Sequence, residues 1–271
     1  MSQKHPLYDL LNGDTPIIMG IINLTPDSFY DGGQTQHNLI QTIHEFNAAD
    51  VRIIDIGAES SRPGATPISS DEEISRLRDG LACIKQYSNA IISVDTYKPE
   101  TADYALSNGA TLINDIYGGE SDDLLRIVHQ HDAGIVLMHK QGDPQFMQDS
   151  PTYQDVISDV KSYLSNQIEK ARRFGIETIM IDPGIGFGKS LDHNLLLLKH
   201  LDEFTSLGCP ILIGTSNKSF IGQLTGADVH ERIPGSIASA LASYEKGARI
   251  FRVHNVKETQ QAFQIFRAIH E

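Results

Sequence analysis

The sequence predicts an α/β protein of the (β/α)8 TIM barrel class, with residues 1–271 forming one domain. Eight apolar runs of strand length alternate with helical patterns, the chain is close to the length of about 250 residues that this fold uses, and the runs end on polar residues. An open doubly wound sheet is the alternative, because its strands read the same way locally.

The first strand is the run Ile17, Ile18, Met19, Ile21 and Ile22, which gives way at Asn23 to a polar loop reaching Gly33. Phe29 and Tyr30 are large apolar groups in that loop and suggest a flap that closes over a ligand. Residues 38–49 read as a helix, and residues 51–57 as a second strand carrying Asp55. Pro63, Gly64 and Pro67 keep the next loop irregular, and Ser70 to Glu73 reads as a capping box before a helix with Ile74, Leu77, Leu81 and Ile84 on one face.

Residues 90–95 form the third strand, followed by a helix from Pro99 to Ser107, where proline suits the first turn. Residues 111–116 and 134–139 are strands four and five, each with a helix behind it. The second of these helices carries Val156, Val160, Leu164, Ile168 and Ala171 at helical spacing. Residues 178–182 and 210–216 bracket a leucine-rich helix near 191–205, and residues 248–254 are the last strand before a closing helix at 257–269.

Asn23, Asp55, Asp95, Asn114 with Asp115, His139, Asp182, Ser216 and His254 all fall at the C-terminal ends of these strands. In a barrel those ends converge on one mouth, where the active sites of this fold lie.

Composition narrows the partners. A net charge of −13 opposes non-specific binding to nucleic acid or to anionic membranes, so an anionic substrate requires a local basic site. Cys83 and Cys209 lie far apart in apolar contexts and read as reduced core residues. With no run long enough to span a bilayer and no apolar leader, a cytoplasmic protein is expected.

Three motifs carry chemistry. DPGIGFGK, from Asp182, fits neither the Walker A spacing nor the dinucleotide fingerprint, and its glycines imply close backbone approach around a ligand with Phe187 as a packing face. In GTSNKSFIG, Ser216 reads as a helix N-cap, which puts Lys218 and Ser219 in a first turn suited to an anion. Arg252 and His254 share one side of the last strand as a phosphate clamp; the competing reading pairs Arg252 with Asp55 or Glu59. No histidine spacing suggests catalytic zinc.

MGIINLTPDSFYDGG, DIGAESSRPGA, SVDTYKPE, NDIYGG, LMH, DPGIGFGKSLDHN, GTSNKSFIG and RVHNVKET, in this order over nearly the whole chain, resemble the dihydropteroate synthases. The resemblance implies condensation of 6-hydroxymethyl-7,8-dihydropterin pyrophosphate with 4-aminobenzoate, the step that sulfonamides block. It implies a pterin site of Asp95, Asn114, Met138, Asp182, Gly214 and Lys218, and a pyrophosphate site of Asn23, Arg62, Arg252 and His254, with Mg²⁺ assisting at Asn23. Ser61, Pro63, Phe187, Lys218 and Ser219 would hold the aminobenzoate, and Asp95, Lys218 and Asp31 would carry the catalysis. A homodimer formed through barrel helices is also implied.

The chain departs from the family pattern at Asn217 and Asn255, where arginine and aspartate are common, at Ser61, and at Lys140-Gln141. Those changes keep two other readings in view, a pterin-binding paralogue that does not condense and another pterin-binding barrel such as a methyltransferase. A barrel with no ligand is the third.

Overall fold

Parallel pairing carries each strand to the next and the last back to the first. The sheet closes in the order β1 (Ile17–Asn23), β2 (Ile53–Gly57), β3 (Ile91–Asp95), β4 (Leu112–Asp115), β5 (Gly134–Met138), β6 (Ile179–Asp182), β7 (Ile211–Ile213) and β8 (Ala248–Val253). This closure excludes the open doubly wound sheet. The structure is a computed structural model that describes residues 5–11, 13, 15–24, 34–60, 66–142, 147 and 151–270.

Helices alternate with the strands around the barrel. They are α1 (Tyr8–Leu11), α2 (Gln34–Ala48), α3 (Ser70–Tyr87), α4 (Pro99–Ser107), α5 (Asp122–Gln130), α6 (Val156–Arg173), α7 (Leu191–Lys199), α8 (Ser219–Thr225), α9 (Ile233–Glu245) and α10 (Val256–His270). The leucine-rich stretch after β6 is divided: α7 stops at Lys199 and a 3-10 turn covers Leu201–Leu207, ending on Gly208 in the left-handed region at φ 67°. The cap of α3 is Ser69, one residue earlier than the sequence predicts, and its side chain accepts from Glu72 N at 3.2 Å. Glu73 is thereby released from capping. It is buried, takes the Lys98 ammonium at 3.0 Å and accepts from Thr101 Oγ1 at 2.9 Å.

Two apolar layers follow from the period-two alternation of strands. Ile18, Ile22, Ile54, Ile56, Val94, Ile113, Ile135, Leu137, Ile181, Ile213 and Phe251 face outward into the helices, in a cluster completed by residues such as Leu77, Val160 and Phe263. The opposite set, Ile17, Met19, Ile53, Leu112, Val136, Met180, Leu212 and Ile250, fills the barrel interior. Leu7, just before α1, is wholly buried in this interior layer and plugs the N-terminal end. Replacing Leu7 by alanine is expected to cost about 2–5 kcal/mol in urea unfolding, the range for a large core deletion, while leaving the kinetics at the opposite mouth unchanged.

Cys83 and Cys209 are buried and unpaired, as the sequence predicts. No helix among the described residues is long and apolar enough to cross a membrane.

Candidate active site

Alternation decides which strand-end residues enter the barrel. On each strand the residue two or four positions beyond an interior apolar side chain shares its face, which places Asn23, Asp55, Asp95, Asn114, Met138, Asp182 and Arg252 inward above the Leu112 and Val136 layer. Asp115 and His139 have the opposite parity and leave the mouth. Asp115 turns outward to accept from Tyr117 N at 2.8 Å and Gly119 N at 2.7 Å, and His139 lies buried beneath the loop after β6. Of the polar strand ends grouped by the sequence, these two are therefore not mouth residues.

At the centre stands Asp55, wholly buried. Its Oδ1 accepts from Ser93 Oγ at 2.6 Å, and its Oδ2 accepts from Arg252 Nε at 2.6 Å and Asn114 Nδ2 at 3.2 Å. Arg252 reaches on through Nη2 to Asp95 Oδ2 at 2.7 Å. The sequence offered Asp55 or Glu59 as a partner for Arg252; Asp55 takes that place and Asp95 joins it, whereas Glu59 binds Lys98 Nζ at 2.6 Å. One guanidinium thus serves two carboxylates. Burial, with that surplus negative charge, pushes Asp95 up to about 7 against the opposing pull of Arg252.

Asp182 accepts from Gly184 N at 2.7 Å, and burial raises its pKa. Its loop runs through Gly184, Gly186 and Gly188, all with positive φ. A Cβ at Gly184 would lie 1.9 Å from the His139 carbonyl oxygen, and one at Gly188 would lie 2.3 Å from that of Gln141. These two glycines therefore admit the backbone of the β5 loop. The sequence assigned that close approach to a ligand. Gly186 differs, because its hypothetical Cβ meets the Lys218 stem at 3.2 Å. Lys218 Nζ sits 4.0 Å from the centroid of the Phe187 ring, so the packing face predicted from sequence is covered by this cation.

Lys218 is the N-cap residue of α8, with Ser219 first in the helix. The predicted cap, Ser216, is committed elsewhere: its Oγ accepts from His254 N at 3.2 Å and lies 3.0 Å from His254 Nδ1. Gly214 keeps its side of the mouth open, since a Cβ there would meet only the Arg252 Cβ, at 4.0 Å. Asp31, Ser61, Arg62 and Pro63, with the flap residues Phe29 and Tyr30, lie outside the described residues. Glu59, ahead of Ser61 to Pro63 in the chain, accepts from Ile68 N at 2.8 Å.

Asn217 and Lys140-Gln141, two of the departures from the family pattern, have local partners. Asn217 adopts φ 58°, a conformation that asparagine tolerates better than most residues, and Arg232 Nη1 donates to its carbonyl at 3.1 Å, so a guanidinium still borders this position. Lys140 Nζ lies 3.7 Å over the Tyr117 ring, and Gln141 pairs with the Thr152 backbone at 2.7 and 2.9 Å. Asn255 Oδ1 is buried without a hydrogen-bond partner among the described residues.

A closed parallel barrel whose C-terminal mouth gathers inward carboxylates, amides and an arginine has the architecture of a barrel enzyme with its active site at that mouth. The family model described as "Pterin binding enzyme" matches residues 19–254. The dihydropteroate synthase of Escherichia coli strain K12 is 43% identical over 258 residues, covering 93% of this chain and 91% of that one. Among solved structures, the Yersinia pestis dihydropteroate synthase with a sulfonamide drug complex superposes with a TM-score of 0.87 at 39% identity, covering 94% of both chains. The Thermus thermophilus enzyme in complex with 4-aminobenzoate gives 0.87 at 38%, covering 96% of this chain and 95% of that one. The chain belongs to the pterin-binding enzymes and, within them, to the dihydropteroate synthases. It is a transferase that forms 7,8-dihydropteroate from 6-hydroxymethyl-7,8-dihydropterin pyrophosphate and 4-aminobenzoate, releasing pyrophosphate.

Proposed function

We propose that the inward cluster at the mouth divides this reaction among three subsites. Asp95, Asn114 and Asp182 receive the N–H edge of the pterin, with Met138 and Gly214 beside the ring and Lys218 at its border. Asn23, Arg62, Arg252 and His254 take the pyrophosphate; Ser61, Pro63, Phe187, Lys218 and Ser219 take the aminobenzoate. The observation that carries this reading is the Asp55–Arg252–Asp95 cluster, which sets an acceptor for the pterin beside a cation for the leaving group. When the pterin edge occupies Asp95, Nη2 of Arg252 is released toward the phosphates.

The bond between the pterin methylene carbon and the pyrophosphate oxygen breaks, and its electron pair leaves with the pyrophosphate. The methylene cation is delocalised into the ring, where Asp95 and Asp182 supply compensating charge. The aminobenzoate nitrogen then forms the new C–N bond and loses one proton, which the released pyrophosphate takes up. Exclusion of water matters because water would capture the cation, and covering the site falls to the flap with Asp31.

Mg²⁺ would neutralise phosphate charge in the leaving group. Among the described residues no three His, Cys, Asp or Glu side chains gather as a metal cage. One amide oxygen, from Asn23 at the end of β1, suits an ion that keeps several waters and binds phosphate oxygens. A homodimer joined through barrel helices, working in the cytoplasm with no nucleic acid or membrane as partner, completes the proposal.

Pyrophosphate release from the pterin substrate, measured with and without 4-aminobenzoate, tests it. Aminobenzoate-dependent release is expected, and Lys218→Ala is expected to lower kcat/KM by about 100-fold, the scale of a lost charged contact in a dry site. Full turnover by Lys218→Ala with unchanged KM values would reject the role given to Lys218.

A further inference from the structure

Lys189 has a role that the three subsites above do not use. Its side chain is only 3% exposed, yet among the described residues its ammonium makes no ion pair with a carboxylate. It spends its donors on His139 Nδ1 at 3.0 Å, the His139 carbonyl at 3.2 Å and the Phe187 carbonyl at 3.0 Å. Three donors meet three acceptors. An apolar side chain would fill this volume without the desolvation penalty of an ammonium, so what the lysine adds is directional.

The direction is set by what it joins. His139 ends the β5 side and Phe187 lies at the crest of the glycine-rich β6 loop, two segments that Gly184 and Gly188 allow to pack backbone against backbone. Fixing the Phe187 carbonyl fixes the plane from which its ring extends, and that ring lies against Lys218. His139 suits the anchor role because burial and the adjacent Lys189 hold it down to about 3, neutral with Nδ1 as an acceptor. Its ring is wedged edge-on against Tyr163 at 5.0 Å.

We propose that Lys189 is a positioning residue for aminobenzoate capture, using its ammonium to pin the Phe187 backbone to His139 and so hold the Phe187 ring against Lys218. This rests on the assignment of Phe187 and Lys218 to the aminobenzoate subsite. Asn23, Asp95, Asn114 and Arg252 stand on strands that the pin does not touch, and Met138 and Asp182, at the ends of β5 and β6, are held by the pairing of those two strands rather than by the loop that the pin fixes.

Burial draws the Lys189 ammonium down to about 7, with Asp182 raising it and Lys218 lowering it. The groups facing it are His139 at the end of β5, Asp182 on β6 and Lys218 ahead of α8, with Lys140, Tyr153 and Tyr163 around His139. Above that pH the amine has one donor fewer, so the pin loosens.

Steady-state kinetics of Lys189→Met and Lys189→Gln, with both substrates varied, test the proposal. The KM for 4-aminobenzoate is expected to rise about tenfold, the effect of losing one or two buried hydrogen bonds, with kcat and the pterin pyrophosphate KM within about threefold of the parent. In the parent enzyme the aminobenzoate KM should climb as pH passes from about 6 to about 8.5, through the lysine's titration, and in Lys189→Met it should stay flat. In a Phe187→Ala background the Lys189→Met change should add little. Unchanged aminobenzoate KM in a folded variant, or a rise in both KM values that tracks a lower melting temperature, would overturn the positioning role. If Lys189→Met fails to fold, Lys189→Gln, which keeps two donors, carries the same comparison. A parent enzyme without aminobenzoate-dependent pyrophosphate release would instead count against the subsite assignment itself.

Discussion

Asp95→Asn is expected to lower kcat/KM for the pterin substrate by about 100- to 1,000-fold while leaving the barrel as stable as the parent or more so. The two effects have one cause. Asparagine can still accept from Arg252 through one oxygen, so the contact at 2.7 Å survives, but the pair of anionic acceptors for adjacent pterin N–H groups is gone. Charged hydrogen bonds are worth about 1.5–3 kcal/mol each, and about 1.4 kcal/mol corresponds to tenfold in rate. Stability moves the other way because the ionised carboxylate is costly to the fold.

The sign follows from the direction of the shift. The folded pKa is raised from 3.8 to about 7, so this group favours the folded state fully below its unfolded value and loses that contribution as pH rises through 7. Thermal melting of Asp95→Asn relative to the parent should therefore improve steadily from about pH 4 to about pH 8. Pterin affinity in the parent should rise over the upper part of the same window, as the accepting carboxylate forms. An Asp95→Asn enzyme with parental kcat/KM would remove Asp95 from the pterin site.

Much of this site was legible before any geometry, for a reason that individual residues make clear. A strand that must place apolar groups in the barrel and also end on a polar side chain at the mouth writes both on one parity, as Ile91, Ser93 and Asp95 do on β3. Counting in twos from the interior apolar residues Leu112 and Val136 would have separated Asp115 and His139 from the mouth residues by the same rule; polarity alone grouped them with it.

Other features left no local signal. Leu7 sits in a polar N-terminal stretch, and only closure of the barrel shows that a hole needs filling. Helix α9, IPGSIASALASYE, is rich in small residues that give little hydrophobic periodicity, so nothing local in the sequence marks it between Ser219 and the last strand. Ser216 carries the chemistry of an N-cap, yet the His254 backbone and imidazole claim its hydroxyl. Lys189 reads as the end of a turn until its burial is known.

The sequence shows Asp55 as one polar strand end among several and as a possible partner for Arg252, but not as the hub, and the most severe loss is expected where those two meet. Arg252→Met removes the cation that serves both Asp55, wholly buried, and Asp95, 10% exposed. Removing one partner of a buried pair costs about 3–5 kcal/mol, because the remaining charge is left uncompensated. Here two are left, so one carboxylate should take up a proton, and the melting deficit of Arg252→Met should widen as pH rises from about 5 to about 8. Asp55→Asn added to Arg252→Met should restore much of the melting temperature, since asparagine can still accept from Ser93 Oγ while no longer bearing charge. Turnover should not return with it, because the leaving pyrophosphate still lacks its guanidinium. A double variant that regained both stability and turnover would mean that Arg252 serves only to neutralise Asp55, and the phosphate role would pass to other residues of the mouth.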